Sequence, residues 1–154
     1  MSHGADTAAT VVVRPRKTMI VAWVCAVVVF ALFVVVAVVL RTAETGVFFR
    51  LADQIAMAAI GALIAGGVLL LARPRVRADA EGIEVRNVLV TRTLPWDVVE
   101  RVAFPDGASW ARLELIGDDY LPVLAIQAVD GQRAVEGIRR VRALHAAAAR
   151  SRRP

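Results

Sequence analysis

The chain has 154 residues and a mass of 16.6 kDa, enough for one small domain and little besides. Hydrophobic residues make up 58% of it, which excludes a disordered chain and sets it apart from ordinary soluble ones. A single cysteine excludes an internal disulfide framework, and two histidines leave almost nothing for a His-based metal site. The net charge of +5 raises contact with a membrane surface or with nucleic acid.

Residues 1–13 (MSHGADTAATVVV) carry small and polar side chains with no strong period and no helix cap, and a disordered cytoplasmic N-terminus is expected over residues 1–17. Residues 19–40 then run without a charge and are rich in Val, Ala and Phe. At about 1.5 Å per residue this run reaches roughly 33 Å, enough to cross a hydrocarbon core of about 30 Å. A second uncharged run covers residues 55–72, and Arg73-Pro74-Arg75 stops it. Two transmembrane helices are expected within residues 18–72, joined by a short external loop at 41–54. A secretory signal would have a shorter apolar core, and Trp23 and Val24 before Cys25 do not suit lipoprotein processing. Cys25 therefore reads as a small apolar residue.

Basic residues gather outside the two runs: Arg14, Arg16 and Lys17 before the first, Arg73, Arg75 and Arg77 after the second. The connecting loop has Arg41 and Arg50 offset by Glu44 and Asp53. This asymmetry predicts a two-pass protein of the plasma membrane with both termini cytoplasmic. Arg73, Arg75 and Arg77 are also candidates for contact with lipid head groups, each worth about 1 kcal/mol near an anionic surface. Topology determination alone is the simpler explanation of them. Within the second run Ala58, Ala62 and Gly66, with Gly61 and Ala65, place small residues four apart, the pattern that lets helices approach closely in lipid.

Beyond Arg73 the pattern changes to short alternating runs broken by Gly, Pro and Asp. Strands are expected at 76–80 and 83–87 around Glu81-Gly82, then at 92–96, 101–104, 110–116 and 120–126. Trp96 and Trp110 are expected in the core, since large aromatics in so small a β domain are usually buried. After Asp130, a plausible N-cap, the period becomes helical: Val135, Ile138, Val141, Leu144 and Ala148 form one stripe. A cytoplasmic domain over 73–150 with a basic tail at 151–154 follows.

The stretches TRTLPWDVVERVAFP and GASWARLEL, behind two apolar runs and ahead of a final helix, resemble actinobacterial membrane proteins with a bacterial pleckstrin-homology (PH) domain, of the low molecular weight protein antigen 6 type. The likeness covers roughly residues 19–150. It implies a strongly bent, seven-stranded β-sandwich or barrel of two sheets, capped by a helix from about Gln132 to Arg150. PH domains that bind phosphoinositides carry a basic loop in the first hairpin. Here that turn is Asp79-Ala80-Glu81-Gly82, whose carboxylates repel phosphate, so no specific phosphoinositide binding is expected.

No catalytic set can be assembled. Ser109 lacks a G-x-S-x-G setting, Glu114 with Asp118 and Asp119 lacks calcium-loop spacing, and His145 has no second ligand near it. The expectation is a non-enzyme with no catalytic, cofactor-binding or metal residues and no cofactor. From Arg73 onward the charge is only +3 (14 Arg against 11 acids), so nucleic acid is not expected as a partner. The reading is a membrane-anchored adaptor or scaffold for a protein partner at the inner membrane face. Its alternatives are an accessory subunit of a larger membrane complex, held through its helices, and an anionic-lipid sensor.

Overall fold

The computed structural model describes residues 10–42 and 50–152. The chain divides into two compact units, a helical one over residues 17–73 and a β-rich one built from residues 1–16 together with 74–154.

In the helical unit, α1 spans Arg16–Thr42 and α2 spans Leu51–Leu69, continued by a 3₁₀ turn over Leu70–Ala72. Both are long and apolar enough to cross a membrane. α2 begins before the uncharged run does because the Asp53 carboxylate accepts the Arg50 backbone N–H at 2.9 Å, three residues back, and so caps the first turn. Beside it, Arg41 donates to Gln54 Oε1 at 3.0 Å, joining the end of α1 to the start of α2. Gly61 faces Phe33 so closely that an added Cβ would lie 2.6 Å from the Phe33 Cβ. Only glycine fits at that contact. Most of the connecting loop, residues 43–49, lies outside the described residues.

The β-rich unit is a sandwich of two antiparallel sheets. The first has the order β1-β2-β3-β4, formed by Val11–Val13, Arg75–Ala78, Gly82–Arg86 and Thr91–Pro95. The second has the order β5-β6-β7, formed by Val99–Ala103, Trp110–Leu115 and Tyr120–Gln127. Helix α3, Gln132–Ser151, closes the core. Seven strands, two sheets and a capping helix are the architecture that the family resemblance implies.

Inward-facing Val76, Ala78, Ile83 and Val85 of the first sheet meet Val102, Leu113, Val123 and Ala125 of the second. Ile138 and Val141 of α3 complete that core. Burying a side chain of this kind contributes about 1.5–3 kcal/mol. Trp96, on the link between the sheets, is 2% exposed; its indole N–H donates to the Asp79 carbonyl at 2.8 Å. The His145 ring tilts against it at 5.4 Å, and His145 Nε2 lies 2.8 Å from the Val99 carbonyl. His145 is thus a packing residue that ties α3 to β5.

Four expectations need correction. Residues 11–13 are not part of a disordered tail: Val11, Val12 and Val13 pair with Ala78, Arg77 and Val76 as strand β1, covering the free edge of β2. Three β-branched residues suit an extended edge, and Gly137 on α3 leaves room for Val13, whose Cγ1 is 3.1 Å from where a Cβ would be. Trp110 is not core but 46% exposed. β6 alternates regularly, so Trp110 shares the outer face with Arg112 and Glu114 while Ala111 and Leu113 point inward. Val135 is 39% exposed, since Ala134, Gly137, Ile138 and Val141 form the buried stripe instead. Asp130 does not cap α3: it belongs to a 3₁₀ turn over Ala128–Asp130, and the Gly131 carbonyl (φ +57°) receives the first helical N–H groups from Ala134 and Val135.

Candidate binding surfaces

The first hairpin is the place to look for a PH-like phosphate site. Asp79 Oδ1 accepts the backbone N–H groups of Glu81 and Gly82 at 3.0 and 3.1 Å, a side-chain-closed turn. The depression beside it, about 400 Å³, is lined by Asp79, Glu81 and Glu84 against a single cation, Arg77. An added Cβ at Gly82 would collide with the Leu94 carbonyl, which holds the turn tight against β4. Carboxylates dominate this hollow. It is unsuited to phosphate.

Arg73, Arg75 and Arg77 do not act as one cluster. Arg73 is exposed and belongs to the helical unit, at the end of its 3₁₀ turn. Arg75 is half-buried and bonded to Glu84 Oε1 at 3.2 Å, so its charge is answered within the sheet. Arg77 is exposed on the outer face of the first sheet, with Val12 alongside. Of the small residues on α2, Gly61 and Ala65 are buried and Ala58 half-buried, whereas Ala62 and Gly66 are exposed.

The second sheet carries an ion network on its outer face. Glu114 on β6 accepts from Arg101 at 2.7 Å and from Arg112 at 2.8 Å. Hydrogen bonding from Arg112, then from Arg101, holds its carboxyl below its ordinary value of 4.5. The Arg112 guanidinium also lies 5.8 Å from the centre of the Tyr120 ring. One carboxylate and one ring thus answer the two cations on this face.

A further hollow of the domain runs beside α3. It has a volume of about 700 Å³ and an apolar floor of Phe104, Ala134, Val135 and Ile138. Arg139 and Arg142 stand on its rim, and Arg142 Nε donates to the Val102 carbonyl at 2.8 Å, which fixes that guanidinium in place. The groove thus joins an apolar floor to a basic rim. Sequence periodicity had assigned Val135 to the core, and Phe104 had no pattern to mark it, so neither pointed to this groove.

Two long apolar helices with a seven-stranded sandwich and its capping helix define a PH-like protein with candidate membrane spans. The comparisons agree. A family model of the bacterial PH domain matches residues 73–144. Uncharacterized proteins of Mycobacterium tuberculosis (strains H37Rv and CDC 1551) and of Mycobacterium bovis are each 46% identical to the chain over 134 residues, covering 87% of it and 87% of their own length. No solved structure matches. The chain belongs to this bacterial PH-domain family, with relatives in actinobacteria.

Proposed function

We propose that the chain is a two-pass plasma-membrane adaptor, both termini cytoplasmic, whose PH-like domain docks a protein partner in the groove beside α3. The observation that carries this reading is the groove itself: an apolar floor left uncovered, with Val135 39% exposed, between two arginines. The domain works as a binding module rather than an enzyme, and the acidic first hairpin argues against phosphoinositide specificity. The partner segment is apolar and carries carboxylates that meet Arg139 and Arg142.

A second reading, an accessory subunit held through its helices, draws support from Ala62, Gly66 and Leu63, all exposed on α2, the last at 77%. A photoreactive residue separates the two. Placed at Val135 and activated in intact membranes, it should yield one discrete crosslinked protein; placed at Leu63, it should yield only lipid adducts. A protein adduct from Leu63 with none from Val135 would overturn the adaptor reading.

A further inference from the structure

Strand β1 does more than cover an edge. It carries Arg14 and Arg16 against α3, where Arg133 and Arg140 stand one turn to either side of Gly137. The four guanidinium groups, from opposite ends of the sequence, line one hollow of about 360 Å³. Its single carboxylate, Glu136, lies 4.0 Å from Arg140, with both side chains well exposed. Arg14, Arg16 and Arg133 meet no carboxylate among the described residues. Four like charges held close repel one another, and an exposed pair at 4.0 Å offsets little of that. The arrangement becomes favourable when an anion enters, and arginine suits phosphate because it presents paired donors.

The source of the anion follows from the chain. Arg16 is the first residue of α1, a helix long and apolar enough to span a bilayer, so its polar end belongs at head-group depth. We propose that this hollow is a binding site for the phosphate of an anionic phospholipid at the inner membrane surface, held by Arg14, Arg16, Arg133 and Arg140. It is separate from the first-hairpin hollow, and it leaves the groove beside α3 free for a protein.

The test uses the full chain in detergent micelles, titrated with phosphatidylglycerol or with phosphatidylcholine of the same acyl chains, bound lipid being counted by native mass spectrometry. Phosphatidylglycerol should be retained in preference, and the pair Arg133→Gln with Arg140→Gln should lower its affinity at least about tenfold. The pair Arg150→Gln with Arg152→Gln removes the same charge from the same end of the chain, outside the hollow, and should change it less than about threefold. These four arginines are exposed, so all the variants fold, which circular dichroism checks. Equal losses for the two pairs, or equal retention of the two lipids, would overturn the site. Displacement of the lipid by millimolar inorganic phosphate or by a phosphoserine peptide would assign the hollow to a soluble phosphate and overturn the lipid source.

Discussion

Trp96 and Trp110 differ by fourteen positions and by almost everything else, and truncating each in turn tests the packing of the sandwich. Trp96 is 2% exposed, between Asp79, whose carbonyl takes its N–H, and the His145 ring on α3. Removing a buried aromatic side chain costs about 3–5 kcal/mol, part of it for the cavity left behind. The half-buried Asp79 carbonyl loses its donor as well, which adds about 1 kcal/mol. Small domains have net stabilities of about 5–15 kcal/mol, so Trp96→Ala should leave the β-rich unit marginal or unfolded. Trp110 is 46% exposed on the outer side of β6, and Trp110→Ala should cost about 1 kcal/mol or less. Pulse proteolysis of the full chain in micelles across a urea series reads both values, since the protease cuts only unfolded molecules. Equal losses for the two variants would refute the assignment of Trp96 to the core and of Trp110 to the outer face.

Four further outcomes are expected. Gly61→Ala should destabilise the helix pair by about 1–3 kcal/mol in mixed-micelle denaturation, because the new methyl overlaps Phe33, whereas Gly66→Ala, which meets open space, should change it by less than about 1 kcal/mol. Because the Glu114 carboxyl is held below its ordinary value of 4.5, its ion network stabilises the fold above that pH and is lost as pH falls through the lowered value; Glu114→Gln should remove its share of this acid limb of the stability profile, so that the variant loses less stability than the parent over that range. Deleting residues 10–13 should raise hydrogen–deuterium exchange across Arg75–Ala78, and unchanged exchange would mean that β1 protects nothing. A cysteine at Thr45 should react with an impermeant thiol reagent in intact cells and one at Ser151 should not; the opposite pattern would reverse the proposed topology.

What could be read in the sequence depended on how local the signal was. Each apolar helix is one continuous run, and its length is decided by neighbours in the chain. Strands β3 to β7 announce themselves by alternation and by turns such as Pro105-Asp106-Gly107, so the sheet-rich class was legible too. Strand β1 was not, because three residues are too few for a period and its partner β2 lies more than sixty positions away. Trp110 failed for a different reason. Alternation along β6 places it on the opposite face from Leu113 and Leu115, and its size rather than its position suggested the core. The α3 groove and the arginine hollow both arise from such distant pairings, so their residues are scattered: Phe104 with Val135 in one, Arg14 with Arg133 in the other.

The placement of β1 also changes what counts as the domain. The helical hairpin is inserted between the first two strands of one sheet: β1 precedes α1, and β2 follows α2. Each junction is two residues long and contains a proline, Pro15 at one and Pro74 at the other, both buried. Proline lacks the N–H that would continue a ladder and holds its φ near −65°, so each strand ends at its junction. The two junctions are bound to each other, since Val13 pairs with Val76 across the β1–β2 ladder. The family model, which begins at residue 73, takes in the strand after the helices but not the one before them. The sandwich therefore depends on chain from both sides of the hairpin. A fragment starting at Arg73 would expose the β2 edge and lose half of the four-arginine hollow, whose Arg14 and Arg16 travel with β1. The segment that leads from β1 into the first apolar helix thus also carries two of the four arginines of that hollow, the other two coming from α3.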